Sequence, residues 1–144
     1  MTAQSFKNHA RFIPLYHYIA PAALLALIIG ASINLFDALN KKDGLYSASL
    51  ILVICLVLAV VWLYSRVFAL KAQDRAIRAE ENLRHFMTTG KALDKRLTMS
   101  QIIALRFAGD DEFVALAKRA ADEHLSNKDI KMAIQHWRAD NDRA

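Results

Sequence analysis

Two uncharged apolar runs, Tyr18 to Phe36 and Ser47 to Leu63, stand near the start of this 144-residue chain, and neither contains an Asp, Glu, Lys or Arg. As a helix of about 20 residues, each run reaches across roughly 30 Å of hydrocarbon. A helix also satisfies its own backbone hydrogen bonds where no water is available. The pattern predicts a membrane hairpin. Summed over its Leu, Ile and Val side chains, the stretch from Leu50 to Leu63 favours insertion by several kcal/mol, and Leu24, Leu25, Leu27, Ile28 and Ile29 make a firm centre for the first span.

Charge is distributed unevenly. Lys, Arg, Asp and Glu crowd into the chain after Leu63, so the composition shift marks the passage from lipid to water. The expected division is an N-terminal interfacial segment 1–17, a two-helix hairpin 18–70 and a cytoplasmic helical module 71–144. Lys7 and Arg11 precede a run longer than the usual h-region of about 7 to 15 residues, with no clear small-residue cleavage site after it, so an uncleaved first span is expected. Lys7 and Arg11 before the first span, and Arg66, Lys71, Arg75 and Arg78 after the second, outweigh Lys41 and Lys42 in the loop. By the positive-inside rule both termini are expected to be cytoplasmic. Asp43-Gly44 is a good turn pair for the short connection. Pro21 is compatible with a helix starting near His17, or with a kinked helix starting at Pro14.

Ala22, Ala26, Gly30 and Asn34 recur every four residues, forming a shallow face where another backbone can approach closely, and Cys55 with Ala59 offers a small stripe on the second span. Packing within the hairpin is the first use expected of these residues, and contact with another chain the second. Cys55 is the single cysteine, so no intrachain disulfide forms, and mid-span it reads as a small residue at a helix contact.

Beyond the second span, Ala69, Ala72, Ala76, Ala79, Leu83 and Phe86 alternate spacings of three and four, the seam of a short coiled coil. The second helix should therefore run on past the membrane, with Asp74–Arg78 and Glu80–Arg84 available as i,i+4 pairs, until Gly90 stops it. Three short helices follow. Thr98 with Gln101 forms a capping box, Asp110, Asp111 and Glu112 an acidic first turn, and Ser126 with Asp129 a second box. Phe113, Ala117 and Ala120 stripe one helix; Ile130, Ala133, Ile134 and Trp137 stripe the last. These read as core positions of a small all-α bundle. No strand pattern competes.

No constellation dictates a reaction. His9, His17, His85, His124 and His136 have no partners at metal-ligand spacing, the glycines are isolated, and Ser, His and acid residues are too scattered for a triad. Neither enzyme activity nor a cofactor is expected. Two binding readings remain. The net charge of +5 and the cluster Arg66, Lys71, Arg75 and Arg78 suit weak attraction to anionic lipid headgroups. Leu125 to Ile130 resembles the turn of some helix-turn-helix regulators, but Asp110 to Glu112, Asp122 and Glu123 disfavour nucleic acid by repelling phosphates.

Phe6 to Phe12 (FKNHARF), Leu97 to Ala108 (LTMSQIIALRFA) and Ile134 to Asp140 (IQHWRAD) resemble a family of small bacterial membrane proteins known only as a domain of unknown function. The resemblance covers almost the whole chain and implies two spans with a helical tail, without an activity, ligand or catalytic residue. The expectation is an accessory subunit or membrane scaffold for a protein partner, as a hetero- or homo-oligomer. The alternative is a membrane-tethered regulator whose tail binds nucleic acid.

Overall fold

The computed structural model describes residues 13–139, and these residues are mostly helical, with no strand among them. The charged residues Lys7 and Arg11, the first stretch of family resemblance and Asp140 lie outside the described range. Two compact units are present, 13–68 and 69–139.

The first unit is the hairpin. A wide π-type turn, Leu15–Ile19, leads directly into α1, Ala20–Lys41. The π turn answers the question posed by Pro21. Proline lacks an N–H and its ring collides with the carbonyl four residues back, so a wider turn just upstream lets the helix start at Pro14 and still accommodate Pro21 in its first α-helical turn. α1 stops at Lys42, which is left-handed with φ 53°, and Gly44 with φ +66° completes the reversal. Helix α2 then runs unbroken from Leu45 to Thr89, so the helix continues well past Leu63, where the apolar run ends, as the periodicity after it predicts.

The two hairpin helices meet through small and aliphatic side chains. On α1, Ala31 and Ala38 are buried and Leu24, Ile28 and Leu35 half-buried; on α2, Ala48 and Cys55 are buried and Leu52, Ala59 and Trp62 half-buried. At one end, the Tyr16 hydroxyl donates to the Trp62 carbonyl at 2.8 Å and the two rings stack at 5.4 Å. The remaining large apolar side chains face outward: Leu25, Ile33, Phe36 and Val61 are each about 60% exposed. A water-soluble hairpin would pay heavily for that surface, since each such side chain forgoes about 1.5–3 kcal/mol of burial in water. Both helices are long and apolar enough to cross a membrane.

The second unit is a small bundle built on the last five turns or so of α2. It comprises that segment with α3 (Met99–Leu105), α4 (Asp110–Asp122) and α5 (Asn127–Ala133). Both capping boxes form as their sequences require, Thr98 with Gln101 and Ser126 with Asp129, and the acidic residues 110–112 occupy the first turn of α4. Gly90, with φ +70°, ends α2. Leu105, Phe107, Phe113 and Ile130 are the largest fully enclosed side chains, and Gln101 ties the helices together by donating from Nε2 to the carbonyls of Ala120 and Leu125.

One element departs from its sequence pattern. The last helix ends at Ala133; Ile134 is extended and Trp137 lies in a strap, outside any helix. The strap offers its backbone better partners than another helical turn. Glu112 accepts from the N–H groups of Gln135 and His136, Gly109 N–H donates to the His136 carbonyl at 2.8 Å, and Arg138 N–H donates to the Phe107 carbonyl at 2.8 Å. Ile134 is still buried, and Trp137 packs on Phe107 with centroids 5.3 Å apart. Its anchoring role survives without the helix.

Candidate functional site

The residues singled out from the sequence fall into three places. Ala22, Ala26, Gly30 and Asn34 are all exposed. Taking about 100° per residue, their stripe is centred about 140° around α1 from the face that contacts α2. The expectation that this stripe closes the hairpin is therefore corrected. Leu24, Ile28, Ala31, Leu35 and Ala38 make that contact because alternating spacings of three and four stay on one side of a straight helix, while a strict four-residue repeat drifts around it. Cys55 and Ala59 do lie on the contact face of α2.

The heptad seam is also turned outward. Ile77, Glu81 and Arg84 face the bundle, whereas Ala69, Ala72, Ala76, Ala79, Leu83 and Phe86 are exposed and centred about 140° around the helix, with Ala79 at the edge nearest the loop after Gly90. Leu83 and Phe86 keep 58% and 54% of their surface accessible. Among the described residues, the chain's own tail does not cover this seam. Tail packing goes instead through a charged knot. Arg84 donates from Nη1 to Glu81 at 3.0 Å, from Nε to Asp110 at 2.7 Å and from Nη2 to the Ala108 carbonyl at 2.8 Å, with its guanidinium 4.1 Å from the Phe113 ring centroid. The four-residue pair Glu80–Arg84 gives way to this arrangement because the buried Glu81 has no water to solvate it and takes the arginine.

The third place is a cleft of about 570 Å³ in the second unit. Arg75, Arg78 and Asn82 follow spacings of three and seven along α2 and line one wall with Ala79. The opposite wall is the loop after Gly90, which returns along α2 and brings Leu93, Asp94, Lys95 and Leu97 to the cleft, with Ile102 of α3 behind them. Side-chain hydrogen bonds shape this loop. Asn82 Oδ1 accepts the Leu93 N–H at 2.9 Å, His85 Nδ1 donates to the Lys91 carbonyl at 2.8 Å, and Leu93 and Leu97 are buried.

Cleft electrostatics are one-sided. Asp94 is engaged by Arg96, which donates to its carboxylate at 2.7 Å from Nη2, and this hydrogen bonding lowers the Asp94 pKa to about 2. Arg96 also reaches Asp122 at 2.8 Å; Lys118 first and Arg96 second hold that carboxyl below its ordinary value. Among the described residues Arg75, Arg78 and Lys95 have no ion-pair partner. Of the basic cluster expected at the membrane surface, the fold thus brings Arg75 and Arg78 into one cleft, leaves Lys71 exposed elsewhere on α2, and places half-buried Arg66 in the first unit. Sequence reasoning missed Lys95 and Asn82. Asn82 was findable, since it shares a helix face with Arg75 and Arg78; Lys95 arrives through the loop's return.

Among the described residues no three His, Cys, Asp or Glu side chains gather as metal ligands. With this geometry in place, comparison with known proteins adds a family: the model of a family of unknown function, DUF6526, fits residues 1–144. The chain belongs to that family. No curated protein and no solved structure matches it. Membership of DUF6526 agrees with the resemblance read from the residues and brings no activity with it.

Proposed function

We propose that this DUF6526 member is an integral inner-membrane subunit or scaffold that holds a helical protein partner on the cytoplasmic side. The observation that carries the reading is the outward seam from Ala69 to Phe86. It repeats with coiled-coil spacing, it lies opposite the face that packs on the chain's own bundle, and it keeps Leu83 and Phe86 open to solvent. The exposed small stripe Ala22, Ala26, Gly30 and Asn34 supplies a second helix-docking surface at membrane depth, where small residues allow close backbone approach and Asn34 can hydrogen-bond across the contact. Arg66, Lys71, Arg75 and Arg78 support a cytoplasmic placement for the second unit.

The experiment is purification of the full chain from membranes in mild detergent, followed by identification and stoichiometry of what remains bound. A partner, or a second copy, in fixed ratio is expected, and Leu83→Glu with Phe86→Glu should release it while leaving helix content unchanged. Recovery of a lone monomer from gently solubilised membranes defeats the reading.

A further inference from the structure

The cleft between α2 and the 91–98 loop combines two properties that a passive surface groove does not need together. One is a concentration of positive charge: Arg75, Arg78 and Lys95 line it, and among the described lining residues only Asp94 opposes them. Asp94 is ionised near neutral pH like any ordinary carboxyl, so the described lining residues carry a net charge of about +2. The other is an apolar floor made by Leu93, Leu97 and Ile102, beside which Asn82 is held by its hydrogen bond to the loop. At about 570 Å³ the cleft has the size of a small-molecule site.

We propose that this cleft binds an amphiphile bearing a phosphate monoester, with the phosphate between Arg75, Arg78 and Lys95 and part of the apolar chain against Leu93, Leu97 and Ile102. Phosphate is favoured over carboxylate by charge and geometry. A phosphate monoester carries about −1.5 to −2 charges near neutral pH and three acceptor oxygens, which match two guanidinium forks and one ammonium; a carboxylate offers one charge and two oxygens. The apolar floor distinguishes the ligand from a free anion. A membrane lipid and a soluble single-chain phosphate share this chemistry, and the test separates them.

Native mass spectrometry of the full-length protein in neutral detergent reads the outcome. Four probes are titrated: dioctanoyl phosphatidic acid, octyl phosphate, dioctanoyl phosphatidylcholine and glycerol 3-phosphate. One bound molecule per chain is expected for a phosphate-monoester amphiphile, at least about tenfold tighter than for the zwitterionic diester phosphatidylcholine or for glycerol 3-phosphate, and Arg78→Gln with Lys95→Gln should weaken it about tenfold. All of these side chains are exposed, so the double variant keeps its fold, checked by its helix signal; Arg66→Gln, outside the cleft, should bind as the native protein does. Preference for phosphatidic acid assigns the site to bilayer lipid, and preference for octyl phosphate to a soluble amphiphile; either upholds the proposal. Equal binding of phosphatidylcholine, equal binding of glycerol 3-phosphate, or undiminished binding by the double variant overturns it.

Discussion

Glu81 and Arg84, one helical turn apart on α2, form an ion pair at 3.0 Å with side chains only 6% and 11% exposed. Arg84 spends its other donors on Asp110 and the Ala108 carbonyl, so a single guanidinium joins α2 to the α3–α4 connection. Removing Arg84 leaves the buried Glu81 carboxylate without its cation, whereas removing Glu81 leaves Arg84 its bonds to Asp110 and the Ala108 carbonyl. Arg84→Ala should cost about 3–5 kcal/mol and Glu81→Ala less, and the double replacement by aliphatic residues of similar size should recover part of the Arg84→Ala loss. Thermal unfolding of the full chain in detergent, followed by circular dichroism, measures both; additive losses in the double variant would contradict the pairing.

Gly109 precedes α4 where a side chain has no room. A Cβ there would stand 2.5 Å from an Asp111 carboxylate oxygen, 3.0 Å from the His136 carbonyl oxygen and 3.1 Å from the His136 Cβ. Gly109→Ala should therefore push the 135–138 strap away and destabilise the bundle by about 1–3 kcal/mol. Gly30, with nothing within 4 Å of a built Cβ, serves as the contrasting site: Gly30→Ala should leave stability unchanged or slightly raise it. Denaturation midpoints of the two variants decide.

The hairpin contact depends on small side chains at Ala31, Ala38, Ala48 and Cys55. Enlarging one of them, as in Ala48→Leu or Cys55→Phe, should separate the helices and cost about 1–3 kcal/mol, whereas Ala22→Leu or Ala26→Leu on the outward stripe should not disturb the pair. Unfolding from mixed micelles distinguishes the two sets. Equal sensitivity would mean that the buried face has been assigned to the wrong side of α1.

Acid should weaken the bundle over a defined window. Asp94 is lowered from 3.8 to about 2 by its hydrogen bonds from Arg96, Asp111 is lowered chiefly by its hydrogen bond with His136, and Asp122 chiefly by Lys118. A carboxyl whose folded value lies below its unfolded one contributes stability above the unfolded value and loses it as pH falls through the folded one. For Asp94 the loss runs from about pH 4 down to about pH 2, and Asp94→Asn should flatten the stability curve there without changing its slope above pH 5. A pH profile of unfolding midpoints tests this; an unchanged acid limb would remove Asp94 from the account.

Much of the local structure was legible because local chemistry decides it. Thr98 and Ser126 cap their helices, Gly90 ends α2, and the uncharged runs before Leu63 become two long helices, all for reasons contained within a few residues. The same local rules misplace the end of the chain: Ile130 to Trp137 has helical spacing, yet Glu112, Gly109 and Phe107, more than 20 residues away in sequence, draw the backbone into a strap. Lys95 joins Arg75 and Arg78 through a loop whose path is set by Asn82 and by the burial of Leu93 and Leu97.

By itself the sequence determined the helical class, the two apolar spans and most helix ends, because hydropathy and capping act over a few residues at a time. Tertiary structure decided which side of each helix is used. Periodicity identifies a stripe but not its partner, and the small stripe of α1 and the seam of α2 both turned outward once better-matched faces had packed. The charged cleft likewise exists only where a returning loop meets a helix, since neither contributes enough positive charge or enough wall alone.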